Sequence, residues 1–226
     1  MIGRIARRYD LMNTLMTLGM DRGWRKAAVR AAQPLSDGLA LDVGTGTARL
    51  AAALADAMPA GRVIGIDLAL PMLRAGQAWL WHDERAGQVV LVGADAVALP
   101  FTDARFDCLT SAFTMRNLPD LEAAFREQAR VVKPGGRVAC LELTWPSSVV
   151  MRALFPFYFG RIVPLLGRIV ARDRAAYSYL PASVREFPPP EALAATMRQA
   201  GLVEVRWRRL GFGTVTLHVG SVPAPS

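Results

Sequence analysis

Short apolar segments alternate with helix-forming segments through the middle of the chain. The apolar runs at 39–43 and 62–66 are each followed by a stretch that suits a helix, such as LAAALADAM at 50–58. Further strands are predicted at 89–92, 106–112 and 137–143, and further helices at 71–80 and 121–132. This alternation is typical of an α/β domain with a parallel sheet.

The two ends of the chain follow different patterns. Residues 1–36 carry apolar positions at helical spacing, which predicts a helical lid before the first strand. After a predicted helix at 191–200, two alternating runs surround Gly211-Phe212-Gly213 and predict an antiparallel hairpin at the sheet edge. Residues 145–187, rich in Phe, Tyr, Pro and Arg, are expected to form a helical insertion on the substrate side. We therefore expect one domain over 1–226.

Composition narrows the class of protein. Of 226 residues, 52% are hydrophobic and 20% charged, which excludes a mainly disordered chain. Two cysteines and two histidines are too few for a disulfide scaffold or a Cys-based zinc site, and we expect no metal. The net charge of +8 is compatible with nucleic acid, an anionic membrane surface or an anionic small molecule. Because the arginines are scattered rather than clustered, we do not expect nucleic acid.

The hydropathy pattern also bears on location. No run of about 18 or more apolar residues is free of charge, so no transmembrane helix is predicted. The first twenty residues imitate a signal sequence only faintly, since Asp10 precedes the apolar stretch and polar residues dilute it. These features predict a cytoplasmic protein.

The segment LDVGTGTARL, residues 41–50, carries the first candidate chemistry. A parallel strand that ends in Gly44-Thr45-Gly46 before a helix allows a ligand to approach the backbone closely, because glycine has no Cβ. A dinucleotide fingerprint requires a third glycine where Arg49 stands, so a dinucleotide cofactor is not predicted.

Aspartates stand at or near the ends of three predicted strands. Asp42 precedes the glycines, Asp67 ends the second strand, and Asp95 follows the third. Asp67 suits the two hydroxyls of a ribose, Asp42 suits an ammonium group, and Asp95 is in reach of an exocyclic adenine amine. Together they indicate S-adenosylmethionine rather than a nicotinamide cofactor. The alternative is that each aspartate only caps the helix after its strand.

Five segments follow one another along these strands and loops: LDVGTGT, VIGIDLALPML, GADAVALPF, RFDCLTSAF and RVVKPGGRV. In this order and spacing they resemble class I methyltransferases. Six more segments lie outside that general fold: IARRYDLMN at 5–13, Trp24-Arg25, MRNLPD at 115–120, LELTWP at 141–146, YSYLPASVREFP at 177–188 and TLHVG at 216–220. With these, the chain is similar to the quinone C-methyltransferases of menaquinone and ubiquinone biosynthesis. The resemblance extends from about residue 5 to residue 220 and implies a Rossmann-like α/β fold.

The resemblance also implies a set of contacts to S-adenosylmethionine near the carboxyl ends of the first four strands. The expected contacts are Asp42, Gly44, Gly46, Thr47, Asp67, Leu68, Met72, Asp95, Ala96 and Ala112, the last through its backbone. Members of the family usually have Gly-Asp where this chain has Ala48-Arg49. A positive charge therefore stands beside the cofactor loop where the family usually has a negative one.

Methylation of a quinol ring carbon requires the loss of a phenolic proton, because the phenolate makes the neighbouring carbon nucleophilic. Arg116 and Asn117, in the loop after the fourth strand, are well placed as a cation and an amide donor near the methyl group. Since arginine stays protonated, Arg116 is expected to stabilise the phenolate, and a water is expected to receive the proton first. Tyr9 is expected to hold that water or the second hydroxyl, and Tyr177 and Tyr179 to contact the substrate.

Several alternatives stay open. Arg116 could instead form a surface ion pair with Asp120 or Glu122, and Tyr9 could instead be a core aromatic residue. The sequence shows no His or Glu near the predicted cleft that would serve as the base. The acceptor is demethylmenaquinol, the 2-methoxy-6-polyprenyl-benzoquinol precursor of ubiquinone, or both. The rival functions are methylation of another lipid or small molecule on the same fold, nucleic-acid binding, and an inactive cofactor-binding scaffold.

The apolar segment 149–172 is interrupted by Arg152, Pro156, Arg161, Pro164 and Arg168. The spacing of Arg161, Arg168 and Arg172 places them on one side of a predicted helix. It suits either a buried cap helix or a membrane-facing surface. A prenyl tail favours the second, since each CH₂ buried in the bilayer is worth about 0.8 kcal/mol and the tail does not leave the membrane unaided. We expect transient docking at the inner face of the membrane, and a homodimer stays open.

Overall fold

The computed structural model describes residues 10–163 and 180–224. Its strands are β1 (Leu39–Val43), β2 (Arg62–Asp67), β3 (Val89–Gly93), β4 (Phe106–Ala112), β5 (Val132–Leu143), β6 (Val203–Leu210) and β7 (Val215–Ser221). Its α-helices are α1 (10–16), α2 (Met20–Ala32), α3 (Arg49–Ala57), α4 (Leu70–Leu80), α5 (Leu121–Val131), α6 (Val149–Phe157), α7 (Leu180–Glu186) and α8 (Pro190–Gln199). Single turns follow β4 (Met115–Asn117), α6 (Tyr158–Ile162, of the π type) and β6 (Gly211–Gly213).

The seven strands form one sheet in the order β3-β2-β1-β4-β5-β7-β6. The first five pair in parallel, and β7 pairs antiparallel with both β5 and β6. The predicted α/β class, the mostly parallel sheet and the C-terminal antiparallel hairpin are therefore confirmed.

Strand β5 begins five residues before the predicted start at residue 137, because the Pro-Gly-Gly segment does not leave the sheet. Val132 pairs with Phe106 of β4, and a register shift between Phe106 and Cys108 absorbs the extra residues. The Gly135 amide then donates to the Val222 carbonyl at 2.9 Å.

Helices cover both faces of the sheet. Strand β1 is buried between β2 and β4 because its apolar residues meet helices on either side. Trp24 of α2 and Leu54 of α3 pack on one face, and Phe125 of α5 and Leu193 of α8 pack on the other. Burial of such side chains contributes about 1.5–3 kcal/mol each, so the sheet is a rigid platform for the loops that leave it.

The carboxyl ends of the parallel strands meet at one edge of the sheet, and the N-terminal helical segment contacts the turn after α6. Leu18 and Gly19 adopt left-handed backbone angles, with φ of 51° and 77°, and turn the chain from α1 into α2. The Tyr158 hydroxyl donates to the Met16 carbonyl at 2.8 Å and fastens the turn after α6 to the N-terminal segment. None of the helices within 10–163 and 180–224 is long and apolar enough to cross a membrane.

Candidate active site

A cavity of about 330 Å³ opens at the carboxyl edge, beside the loop after β1. It is lined by all of the predicted cofactor contacts except Asp95. Asn117, predicted as catalytic, lines this cavity as well. The structure thus brings together residues from the ends of four neighbouring strands.

Two glycines shape this loop in different ways. Gly44 and Gly46 both have positive φ, 67° and 55°. A Cβ on Gly44 would lie 2.0 Å from Thr114 Oγ1, so the loop after β4 packs where a side chain would be. A Cβ on Gly46 would meet only Met72 Cε, at 3.7 Å. Gly44 therefore fixes the approach of two loops, whereas Gly46 keeps the backbone accessible from the cavity.

Asp67 joins the end of β2 to the glycine loop. Its Oδ2 accepts from the Gly46 amide at 2.9 Å, and its Oδ1 accepts from the Ala69 amide at 2.8 Å. A carboxylate offers about four lone-pair sites, so two remain for a ligand in the cavity. The geometry is compatible with the predicted contact to ribose hydroxyls.

Asp42 lies beneath the loop and is 1% exposed. It accepts hydrogen bonds from Thr45 Oγ1 at 2.7 Å and Thr110 Oγ1 at 2.8 Å. Burial raises the pKa of its carboxyl from 3.8 to about 6, although these hydrogen bonds and the positive charge of Arg25 oppose the shift. Asp42 thus supports the loop from below, and its contact with an ammonium group stays a prediction.

Asp95 is placed apart from the other two aspartates. Its Oδ1 accepts from the Val97 amide at 3.0 Å, and the neighbours Ala94 and Ala96 line the cavity in its place. The side chain stabilises the turn after β3. Since β3 is followed by turns and then by β4, with no helix between them, Asp95 does not cap a helix as the alternative proposed. Its contact with adenine stays a prediction.

The charge reversal at Arg49 has a structural partner in the N-terminal helix. Arg49 Nε and Nη2 both donate to Asp10 Oδ2 at 2.7 Å, while Thr47 Oγ1 donates to Asp10 Oδ1 at 2.7 Å. The Arg49 guanidinium also lies over the Trp79 ring, 4.3 Å from its centroid. Asp10, which sequence reasoning did not single out, therefore ties α1 to the cofactor loop.

A second cavity, of about 630 Å³, adjoins the first. Its walls are mainly apolar: Met16, Leu18, Trp24, Met151, Leu154, Phe155, Phe157, Ile162 and Phe212. Asn13, Arg25 and Phe113 line both cavities, so the two spaces meet at these side chains. We call the larger space the acceptor cavity and the smaller one the cofactor cavity.

Arg116 lines the acceptor cavity, and hydrogen bonds fix the position of its guanidinium. Its Nη1 donates to the Phe113 carbonyl and to Glu142 Oε1, both at 2.6 Å. Glu142 is completely buried, and its carboxylate also accepts from the Arg116 amide at 3.2 Å and the Leu143 amide at 2.8 Å. The surface ion pair considered for Arg116 is therefore wrong.

The two acidic residues named in that alternative have other partners. Asp120 caps α5 by accepting from the Ala123 amide at 2.9 Å, and Glu122 pairs with Arg126. Sequence reasoning missed Glu142, although a lone glutamate in the apolar run of β5 is a signal of a buried partner for a cation.

The remaining predicted residues and the insertion are described only in part. Tyr9, Tyr177 and Tyr179 lie outside the described residues. The insertion is described at 145–163 and 180–187, and the first of these segments supplies part of the acceptor-cavity wall, including Tyr158. Phe155 is buried, whereas Val149 and Val150 are 80% and 66% exposed, so the segment has both a buried and an exposed face. No group of three or more potential metal ligands occurs within 10–163 and 180–224.

Known proteins resemble this chain along its whole length. Residues 1–222 match the model of the ubiE/COQ5 methyltransferase family. The demethylmenaquinone methyltransferase of Roseiflexus castenholzii is 50% identical over 221 residues, covering 97% of this chain and 91% of that protein. The enzyme of that name from Thermus thermophilus is 42% identical over 223 residues, covering 99% and 100%. A ubiquinone/menaquinone biosynthesis C-methyltransferase UbiE from Desulfotalea psychrophila is 40% identical over 226 residues, covering 97% and 88%.

Solved structures agree on the fold. A SAM-dependent methyltransferase from Aquifex aeolicus superposes with a TM-score of 0.63 at 17% identity, covering 94% of this chain and 97% of that one. A putative methyltransferase from Bacillus halodurans gives 0.63 at 19% identity, covering 88% and 99%. The Rossmann-like class I methyltransferase fold is thereby confirmed. The chain belongs to the ubiE/COQ5 methyltransferase family.

Proposed function

We propose that this protein transfers a methyl group from S-adenosylmethionine to a ring carbon of a prenylated quinol, with demethylmenaquinol as its main acceptor. The observation that carries the proposal is the junction of the two cavities: a polar, glycine-lined space meets an apolar space that Arg116 lines. The names of the relatives from Roseiflexus and Thermus support the choice of acceptor.

The cofactor cavity fits S-adenosylmethionine. The free lone pairs of Asp67 suit the ribose, the open backbone at Gly46 suits the methionine portion, and Leu68 and Met72 offer apolar contact for the adenine. When bound, S-adenosylmethionine supplies an electrophilic methyl group on a sulfonium. No step of the proposal requires a metal.

Arg116 stabilises the negative charge that develops on the quinol oxygen. Its guanidinium is pre-positioned by Glu142 and by the Phe113 carbonyl, so it does not have to reorganise during the reaction. Donors fixed in this way in a water-poor site accelerate reactions by about 10²–10³-fold each. Asn117, at the rim of the cofactor cavity, orients the ring beside the methyl group.

The apolar walls of the acceptor cavity suit the prenyl tail, and its rim suits a bilayer. Leu18, Leu154, Phe157 and Phe212, which line this cavity, are all more than half exposed, at 79%, 51%, 54% and 76%. An exposed apolar patch of this kind marks a contact surface, and the net charge of +8 favours anionic lipid. We infer that the protein is cytoplasmic and docks transiently, through this rim, on the inner face of the membrane.

Methyl transfer from labelled S-adenosylmethionine to two chemically reduced short-tail acceptors tests the activity. The acceptors are a demethylmenaquinol and a demethyl-methoxybenzoquinol, the latter because a relative named for both pathways is 40% identical. We expect product with the demethylmenaquinol, a loss of about 100-fold in Arg116→Ala, and an unchanged rate in the surface control Arg126→Ala. Cofactor binding without product from either quinol would refute the proposed function.

Flotation with anionic vesicles at low salt tests the docking. We expect the protein to float, and Phe157→Glu to reduce flotation. Leu35→Glu, at a similarly exposed leucine before β1 and thus at the opposite edge of the sheet, should float normally. Wild-type protein that stays in solution would contradict the proposed membrane contact.

A further inference from the structure

Within the described residues, Asp21 is the one carboxylate that lines the acceptor cavity. We propose that it takes the proton from the quinol hydroxyl and is therefore a catalytic residue, an inference that rests on the proposed function. A phenol has a pKa of about 10, so at neutral pH its proton needs an acceptor placed within hydrogen-bond reach.

Asp21 is buried yet not saturated. It is 3% exposed and lies in the first turn of α2. Its Oδ1 accepts from Thr17 Oγ1 at 3.1 Å, and its Oδ2 accepts from Arg25 Nη1 at 2.6 Å. With about four lone-pair sites on a carboxylate, two donors leave room for a third from a ligand in the cavity.

Glu142 differs from Asp21 in this respect. Three donors already reach the Glu142 carboxylate, and it lies behind Arg116 rather than in the cavity wall. The two ion pairs therefore have separate roles. Glu142 positions Arg116, which stabilises the phenolate, while Arg25 positions Asp21, which accepts the proton.

The placement of Arg25 brings Asp21 to the reacting end of the cavity. Arg25 lines both the acceptor and the cofactor cavities, so its partner carboxylate lies one side chain away from their junction. The methyl group has to cross that junction. A quinol ring that meets the methyl there presents its neighbouring hydroxyl to the Asp21 side of the cavity.

Proton transfer to Asp21 accompanies methyl transfer to the ring carbon. The hydroxyl proton moves to the Asp21 carboxylate while the ring carbon beside it attacks the methyl, so that a C–C bond forms and the C–S bond breaks with its electron pair left on sulfur. The resulting ketone carries both hydrogen and methyl on one carbon. Loss of that hydrogen as a proton and return of the Asp21 proton to the oxygen restore the quinol. The net products are methylquinol, S-adenosylhomocysteine and one proton.

Steady-state kinetics of Asp21→Asn with the reduced short-tail demethylmenaquinol test this role. We expect kcat to fall by about 10²–10³-fold, with the Kd for S-adenosylmethionine from calorimetry unchanged within about twofold. The intact Kd shows that the variant is folded although Arg25 has lost its counter-ion. The rate of the variant should rise with pH more steeply than that of the wild type, because free phenolate replaces the missing base.

The other titratable and charged groups around the cavity also contribute to these pH profiles. They are Arg25, which contacts Asp21, Asp42, which lies near Arg25, Arg116 and Tyr158, which line the cavity, and Glu142, which lies behind Arg116. Because all of them are retained in Asp21→Asn, the difference between the two profiles isolates Asp21.

Chemical rescue separates proton transfer from a structural role. Excess formate should raise the rate of Asp21→Ala by about tenfold, since a small carboxylate can enter the open cavity and replace the missing base. Formate should not rescue Glu142→Gln, whose site is enclosed. A kcat for Asp21→Asn within about threefold of wild type, or a defect confined to KM, would overturn the assignment while leaving the proposed function intact. A wild-type protein inactive on both quinols would instead overturn the proposed function and, with it, this role.

Discussion

The contact between Arg49 and Asp10 predicts that the N-terminal helix controls cofactor affinity through a single ion pair. Arg49 makes two charge-assisted hydrogen bonds to Asp10 Oδ2, and Asp10 Oδ1 holds Thr47, a residue of the cofactor loop. The perturbations are Arg49→Ala, which removes the pair, and Arg49→Asp, which introduces the acidic residue that the family usually has and places it against Asp10.

The magnitude follows from the burial of the two side chains. Arg49 is 38% and Asp10 16% exposed, so solvent screens the pair in part and its net contribution is about 1–2 kcal/mol. Arg49→Ala should therefore weaken S-adenosylmethionine binding by about tenfold. In Arg49→Asp, repulsion from Asp10 adds to the loss and raises it to about 3 kcal/mol, on the order of a hundredfold in Kd.

Isothermal titration with S-adenosylmethionine measures these changes, and limited proteolysis reports whether α1 detaches. The swap Arg49→Asp with Asp10→Arg restores the opposite charges and should recover most of the affinity. Arg62→Asp makes the same charge change on an exposed residue at the start of β2 and should leave the Kd unchanged. Wild-type affinity in Arg49→Asp, or a swap no better than the single variant, would refute the reasoning.

Three further predictions concern the cofactor loop. The pKa of Asp42 is raised from 3.8 to about 6, so between these pH values the folded state holds a proton that the unfolded state has lost. The free energy of unfolding should therefore fall by about 3 kcal/mol as pH rises from about 4 to above 6. Urea unfolding should show this pH dependence in the wild type and not in Asp42→Asn, and the same dependence in both would contradict the prediction. Gly44→Ala should destabilise the protein far more than Gly46→Ala, because only the new Cβ at position 44 collides with Thr114. Gly46→Ala should cost only the left-handed backbone strain, about 1–2 kcal/mol. Similar melting temperatures for the two variants would contradict this. Asp67→Ala should weaken S-adenosylmethionine binding by about 10–100-fold in calorimetry, since the ribose loses its acceptors, and a change below about twofold would argue against that contact.

Local sequence features predicted much of the fold and of the cofactor cavity. Strands such as 39–43 and 62–66 are buried on both faces, and their apolar runs stand out from the flanking helices. Once these strands are parallel, their carboxyl ends share one edge, so Gly46 and Asp67 must lie close together. Asp95 shows where this argument stops: strand order brings it to the edge, but its side chain turns to the Val97 amide.

The contacts that sequence reasoning missed join residues far apart in the chain. Asp10 meets Arg49 across 39 residues, and Arg116 meets Glu142 across 26. No periodicity encodes such pairs, because each depends on how α1 or β5 packs against a loop. Asp21 is near Trp24-Arg25, which the resemblance singled out, but only the structure shows that its carboxylate lines a cavity.

The site of methylation tests the central claim most directly. After turnover of a short-tail demethylmenaquinol with S-adenosylmethionine that carries a ¹³C-labelled methyl group, the carbon NMR spectrum of the product identifies the atom that received it. The junction of the two cavities, with Arg116 on the quinol oxygen, predicts a methyl on the ring carbon. A methyl on the oxygen, or no labelled quinol at all, would contradict the account.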